Sequence, residues 1–292
     1  MKELALGDER PHVGEHDLAK FRLEGVPRSS VVGDVRLWEW PGDPPGALLM
    51  HGIGNYGRYW DLFANAVEGR LQLVAPDARG HGDSAKPADG YAPEDFVRDA
   101  TAVLDWSGMA RPIVVGHSMG GFHATALTLA HPDRVRGLVL VDVGPRVELA
   151  GGSRARRLSL GRPDRFADET SALAYLRETS PGYGDAVYAN RMAWAFRREQ
   201  GGGLVWRSSK DALAKILDQP NTGVWERVSD IRCPVLVVRG RRSPSLSAEV
   251  ARQLVADLPH ARLVEVDAGH NVALDRPREL ADAVVAFTRE DA

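Results

Sequence analysis

Four short stretches of this chain, residues 47–50, 71–75, 113–115 and 138–141, are apolar at nearly every position, Gln72 being the exception. A strand with one wet face alternates apolar and polar residues. A strand apolar throughout needs both faces covered, as in a parallel sheet between helices. Helical patterns lie between these stretches, over residues 59–67, 93–106 and 120–130. In the second, Phe96, Val97, Ala100, Val103 and Leu104 recur at helical spacing, and Pro93 suits a first turn. Residues 20–26 and 34–40 alternate like half-buried strands. Strand signals stop after Val143 and return at 234–238, followed by a helix at 247–258, a strand at 262–266 and a helix at 277–288. The expectation is an α/β fold with a mostly parallel sheet flanked by helices, built from residues 19–144 and 229–292. Residues 145–228 hold helical fragments at 171–178 and 188–198 and no good buried strand, so they form a mainly helical insertion. Residues 1–18 form a polar arm.

Composition narrows the partners. The 292 residues are 43% hydrophobic and 26% charged, enough for a sizeable core, with a net charge of −3. That charge gives no general attraction for nucleic acid or an anionic membrane, which leaves a small molecule as the expected partner and the oligomeric state open. A single cysteine, Cys233, excludes a disulfide framework and a cysteine-based zinc site; it reads as packing. No apolar run approaches the ~20 residues of a membrane span, and residues 1–11 lack a signal-peptide pattern, so a cytoplasmic protein is expected. The insertion differs from the rest in charge. It carries 12 Arg and 2 Lys against 10 acids, a net of +4, and the remainder carries −7. A basic insertion over an acidic body favours an anionic substrate; arginines on solvated helix faces give the same count.

The chemistry centres on Gly116-His117-Ser118-Met119-Gly120, with Gly121 following. It sits directly after the buried stretch 113–115 and directly before a helix, the setting that the G-x-S-x-G motif requires. The nucleophile stands on a sharp turn, crowding demands glycine two positions either side, and the helix N-terminus favours developing negative charge there. With these residues the sequence resembles an α/β-hydrolase-fold protein over about residues 20–145 and 229–290, with the insertion where that fold carries its cap.

The resemblance implies a cofactor-independent, metal-independent serine hydrolase acting on an ester, amide or related carbonyl compound. His51-Gly52-Ile53-Gly54 follows the first apolar stretch, where the family supplies its second oxyanion-hole amide. The two amides are then those of Ile53 and Met119. Asp77-Ala78-Arg79-Gly80-His81-Gly82-Asp83-Ser84 matches a family loop and is read as structural rather than as a metal site at His81 and Asp83. Among nine histidines, His270, between the last strand and the last helix, takes the place of the family's base. His117 is expected to turn its side chain away.

The acid is displaced. Its usual place, after residues 234–238, contains no Asp or Glu before Glu249, and the tip reads Gly240-Arg241-Arg242-Ser243-Pro244-Ser245. Haloalkane dehalogenases and acetamidomethylene-succinate hydrolases place the acid one strand earlier, which here is Asp142. Glu249 and a Ser–His dyad with water remain alternatives. The cap is expected to set the substrate through Tyr183, Tyr188, Trp194, Phe196, Trp206 and Trp225, unless these are its core. Arg154, Arg156, Arg157 and Arg191 are candidates for a carboxylate, and Tyr56 and Trp60 for the pocket wall. A serine nucleophile excludes epoxide hydrolase and dehalogenase chemistry. Carbon–carbon bond hydrolases, many of which carry Asn where this chain has His117, perhydrolases, a slow-turnover ligand receptor and a scaffold with a decayed triad are the other readings.

Overall fold

The computed structural model describes residues 27–146, 148–219 and 223–290. The arm 1–18 and the strand expected over 20–26 lie outside them. Among the described residues eleven strands and ten α-helices follow one another. The first part of the core runs β1 (Arg28–Val32), β2 (Val35–Trp40), β3 (Gly46–Met50), α1 (Asp61–Val67), β4 (Gln72–Pro76), α2 (Pro93–Ser107), β5 (Ile113–His117), α3 (Met119–Ala130) and β6 (Gly137–Val141). The inserted segment, here termed the cap, holds α4 (Leu149–Leu160), β7 (Arg165–Phe166), α5 (Glu169–Thr179), α6 (Asp185–Trp194), β8 (Phe196–Arg198), β9 (Leu204–Trp206) and α7 (Lys210–Leu217). The core resumes with β10 (Val235–Gly240), α8 (Ala248–Asp257), β11 (Ala261–Val266), α9 (Val272–Asp275) and α10 (Pro277–Glu290).

Eight strands form one sheet in the order β1-β2-β4-β3-β5-β6-β10-β11. The β1–β2 and β2–β4 pairs are antiparallel, and all pairs from β4 to β11 are parallel. The apolar stretches are continuous because both sheet faces are covered. Leu49, Val115, Val139 and Val238 pack with Phe63 of α1 and Val284 of α10. Their neighbours Leu48, Val114, Leu138 and Val237 pack on the other face with Leu104 of α2, Leu127 of α3 and Leu254 of α8. β1 (RSSVV) is an exposed edge strand whose polar sequence carried no strand signal.

The cap is not purely helical. β7, β9 and β8 form a small antiparallel sheet, so the helix expected to reach residue 198 ends at Trp194 and the chain turns into β8. Phe166, Phe196 and Trp206 cluster there, with Phe196 and Trp206 ring centroids 4.4 Å apart. Aromatic contact between such short strands outweighs the local helical pattern.

A buried polar seam joins cap to core. Asn190 of α6 donates to Asp61 Oδ2 (2.8 Å) and to the Arg58 carbonyl (3.0 Å), and accepts from the Tyr56 hydroxyl (2.9 Å). Arg58 pairs with Asp61 at 2.6 Å, and its guanidinium lies over the rings of Trp38 and Trp194. Burial raises the Asp61 pKa from 3.8 to about 6, against the lowering effect of Arg58 and Asn190. Between those values the folded protein holds a proton that the unfolded chain has released. The contribution of this group to stability is therefore full below about pH 4, declines up to about pH 6 and is flat above it. In urea unfolding, wild type should gain roughly 1 kcal/mol relative to Asp61→Asn between pH 7 and pH 5. A relative loss would mean that the ion pair with Arg58 outweighs burial.

Candidate active site

β3 and β5 are hydrogen-bonded neighbours, and the chain leaves β3 for β4 on one side while β5 lies on the other. The crevice at the carboxyl ends of two such strands is where open α/β sheets receive ligands. Ser118 stands in it on a strained turn, φ 53° and ψ −120°, between β5 and α3. The glycines make the turn possible. A β-carbon on Gly116 would lie 2.5 Å from the Gly120 carbonyl oxygen, and one on Gly120 would lie 2.1 Å from that of Met50 at the end of β3. Helix α3 thus begins against the end of β3 with no side chain between. A β-carbon on Gly52 would lie 3.2 Å from the Ser118 β-carbon, so the loop carrying the Ile53 amide runs directly past the serine. Met119 is the first residue of α3, and the Ile53 and Met119 side chains pack on one cluster with Tyr91 and Phe96.

Two buried histidines hold that loop. The His51 Nδ1–H donates to the Gly52 carbonyl and its Nε2 accepts from the Ala78 amide; the His81 Nδ1–H donates to the Arg79 carbonyl and its Nε2 accepts from the Gly54 amide. Burial pushes His51 down to about 4 and His81 well below its usual range, which keeps both neutral and able to accept. Asp77 anchors the same region, accepting from Trp38 Nε1 and from the amides of Gly57 and Asp83. The 77–84 stretch is a bracket for the loop. Among the described residues no group of three or more His, Cys, Asp or Glu could hold a metal ion.

Asp142 follows β6 with φ 51° and is buried. Its Oδ2 lies 2.8 Å from His270 Nδ1, so the ring donates there and leaves Nε2 free for another proton. Oδ1 accepts from the Gly240 amide at 2.9 Å, and Oδ2 also accepts from the Ser243 hydroxyl. The acid-free tip of β10 therefore supplies donors to a carboxylate on the adjacent strand. Ser243 was not singled out from the sequence, although a serine in an acid-free tip was the available signal. Glu249 is exposed in the first turn of α8. The His270 loop is fixed by Asp275, which accepts from the Gly269 amide at 2.6 Å. His117 does not turn away: its Nε2–H donates to the His270 carbonyl at 3.0 Å and its ring stacks on Tyr59. His117 also lines the cavity described next.

Ser118, Asp142 and His270 border a cavity of about 420 Å³ between the strand ends and the cap. Of the residues expected at its wall, Tyr56, Arg154, Arg156, Arg191, Trp206 and Trp225 line it. Trp60 does not; it is fully buried in the core beside Phe63. Trp194 belongs to the cap–core seam, edge-on to Trp38 at 4.9 Å. Arg157 is exposed outside the lining, on the other side of α4 from its neighbours. Tyr188 and Phe196 are cap core, whereas Tyr183 accepts from Asn271 beside His270. Arg162 and Tyr175 also line the cavity and were not singled out from sequence, since neither belongs to a motif.

Residues 47–283 match the model of the alpha/beta hydrolase family. The chain is 31% identical to the 3-hydroxybutyrate-oligomer hydrolase of Cupriavidus necator, over 86% of this chain and 91% of that protein. It is 30% identical to the 2-(acetamidomethylene)succinate hydrolase of Mesorhizobium japonicum, over 75% and 79%. The crystal structure of an E-2-(acetamidomethylene)succinate hydrolase superposes with a TM-score of 0.79 at 27% identity, covering 90% of this chain and 98% of that one. An esterase from Mycobacterium tuberculosis superposes with a TM-score of 0.77 at 26% identity, over 93% and 97%. The chain belongs to the alpha/beta hydrolase family, and it is an enzyme of the hydrolase class. No helix among the described residues is long and apolar enough to cross a membrane.

Replacing Ser243 by Ala removes one donor from Asp142 and leaves the Gly240 amide and His270 in place. Turnover of a small activated ester should fall about tenfold with little change in KM. An unchanged kcat would mean that the hydroxyl does not help to orient the carboxylate.

Proposed function

We propose that the protein is a serine hydrolase that cleaves an ester, amide or related carbonyl compound through Ser118, His270 and Asp142. The observation that carries this reading is the 2.8 Å bond from His270 Nδ1 to a buried Asp142, beside a serine on a strained turn at the same cavity. His270 Nε2 takes the Ser118 hydroxyl proton as Oγ bonds to the substrate carbonyl carbon. The amides of Ile53 and Met119 hold the resulting oxyanion. The tetrahedral intermediate collapses, the carbon–leaving-group bond breaks, and the leaving group departs with the proton from His270. Water, deprotonated by His270, then attacks the acyl-enzyme and releases the acid and free Ser118. Asp142 keeps the proton on Nδ1 throughout and balances the imidazolium charge. No cofactor takes part. Among the described residues the cavity lining contains four arginines and no lysine, with Asp142 as its one carboxylate, which favours an anionic substrate. The names of two relatives, a succinate derivative's hydrolase and a hydroxybutyrate-oligomer hydrolase, describe carboxylic-acid compounds.

Reaction with a fluorophosphonate probe tests the assignment. Wild type and Glu249→Gln should label rapidly, Ser118→Ala not at all, and Asp142→Asn about 10³-fold more slowly or worse. Absence of labelling in wild type would leave a ligand-binding protein of this fold. Labelling that survives Asp142→Asn and fails in Glu249→Gln would transfer the acid's role to Glu249.

A further inference from the structure

We propose that Arg191, with Arg162 and the Tyr175 hydroxyl, forms a carboxylate subsite in the cap wall of the cavity, so that the compound cleaved at Ser118 carries a carboxylate of its own. The proposal rests on the hydrolase reading above and names the substrate's second recognised group.

The four lining arginines are not equivalent. Arg156 is exposed and paired with Asp218 at 2.9 Å, and Arg154 is exposed and donates to the Thr179 carbonyl. Arg162 is only 4% exposed. It donates from one terminal nitrogen to Ser208 Oγ (2.9 Å) and from the other to the Ser208 carbonyl (2.7 Å), while its Nε has no acceptor. Its guanidinium lies 4.5 Å from the Trp206 ring centroid. The nearby Asp164 pairs with Lys210 instead. Burial pulls the Arg162 pKa down to about 10, so the group is still charged at neutral pH, without a carboxylate partner among the described residues. A cation buried in this way is costly until an anion arrives.

Arg191 is half-buried, and although its carbonyl accepts from the Ala195 amide, its side chain has neither a hydrogen bond nor an ion pair among the described residues. Its charge acts on the hydroxyls of Tyr56, Tyr175 and Tyr183, and Arg162 acts on Tyr175 as well. The Tyr175 hydroxyl thus lies in the field of both arginines. The cavity's own carboxylate cannot neutralise them, because Asp142 is occupied by His270, Gly240 and Ser243. The donors on offer are one whole guanidinium fork, one further N–H and one hydroxyl. A planar carboxylate matches the guanidinium fork with both of its oxygens, and competition between inorganic phosphate and acetate separates it from a phosphate ligand. Binding this remote group would orient the carbonyl at Ser118.

The test compares monoethyl succinate with ethyl 4-methylpentanoate, in which an isopropyl group replaces the carboxylate. The ratio of their kcat/KM values should fall about 10- to 100-fold in Arg191→Gln and less in Arg191→Lys. Arg134→Gln, a surface charge paired with Asp105, should leave the ratio as in wild type. An equal fall in Arg134→Gln, or no fall in Arg191→Gln, overturns the subsite. Calorimetry of monoethyl succinate binding to Ser118→Ala, with and without Arg191→Gln, reads the subsite without catalysis. Binding that is lost with Arg191 supports it even if no ester is cleaved and the probe does not label, which would sink the hydrolase reading alone. Equal binding to both proteins overturns it, as does inorganic phosphate competing more strongly than acetate.

Discussion

The site depends on one close approach: the start of α3 meets the end of β3 with only glycine at the contact. The space at Gly120 is set by the Met50 carbonyl, and at Gly116 by the Gly120 carbonyl. Because no side chain separates these backbones, the start of α3 and the loop after β3 lie directly beside one another, with Gly52 against Ser118. Ser118 pays for this with a positive φ that a β-carbon tolerates poorly. Sheet packing over-determines the turn, since β5 is hydrogen-bonded on both sides and buried at every position. Rigidity in the sheet is therefore converted into placement of a single hydroxyl.

Much of this was legible in the sequence because the constraint is local. A buried stretch, two glycines around a serine and a helical pattern occupy adjacent positions, so their periodicity and spacing report the turn directly. Asp142, directly after β6, and His270, in the loop after β11, were picked out by resemblance to the family rather than by a local pattern. What escaped was non-local. The Ser243 hydroxyl acts on a residue 101 positions earlier. Arg162 and Tyr175 each pack against Trp206 of the cap's small sheet, whose strands are too short to show a period. Trp60 was expected at the pocket, as Tyr56 was, for its nearness to the oxyanion loop, but Tyr56 is extended backbone before a 3-10 turn and Trp60 closes that turn, so the two side chains leave in different directions. One of the pair faces the cavity and the other the core.

Cap and core share polar groups as well as a cavity. Asn190 and Arg191 are consecutive on α6, and successive residues on a helix point in different directions. Asn190 enters the seam with Asp61 and Arg58, while Arg191 lines the cavity. Fixing the first therefore fixes the second. The seam's cation is held by an ion pair and two indole faces, whereas the Arg191 side chain has no such partner among the described residues. That asymmetry separates a structural arginine from one available to a ligand.

The place of the acid in the proposed triad follows from strand order. β6 and β10 are neighbours, with Val141 paired to Val238, so their ends lie side by side beneath the loop that carries His270. A carboxylate at either end lies near the imidazole. At the end of β10 the room is gone: a β-carbon on Gly240 would sit 2.1 Å from the Gly269 carbonyl oxygen, one residue before His270. That close pass brings the histidine loop down onto the sheet, and it favours a bare amide over a side chain at that position. The amide and the Ser243 hydroxyl are donors, so the partner they can stabilise is an acceptor on the next strand, which Asp142 supplies. Donor and acceptor have exchanged strands while the hydrogen bond to His270 Nδ1 is kept. The exchange also constrains the substitutions that can reverse it. An acid introduced at position 243 would set a second carboxylate against Asp142, and the two charges would compete for one proton rather than restore the more usual arrangement.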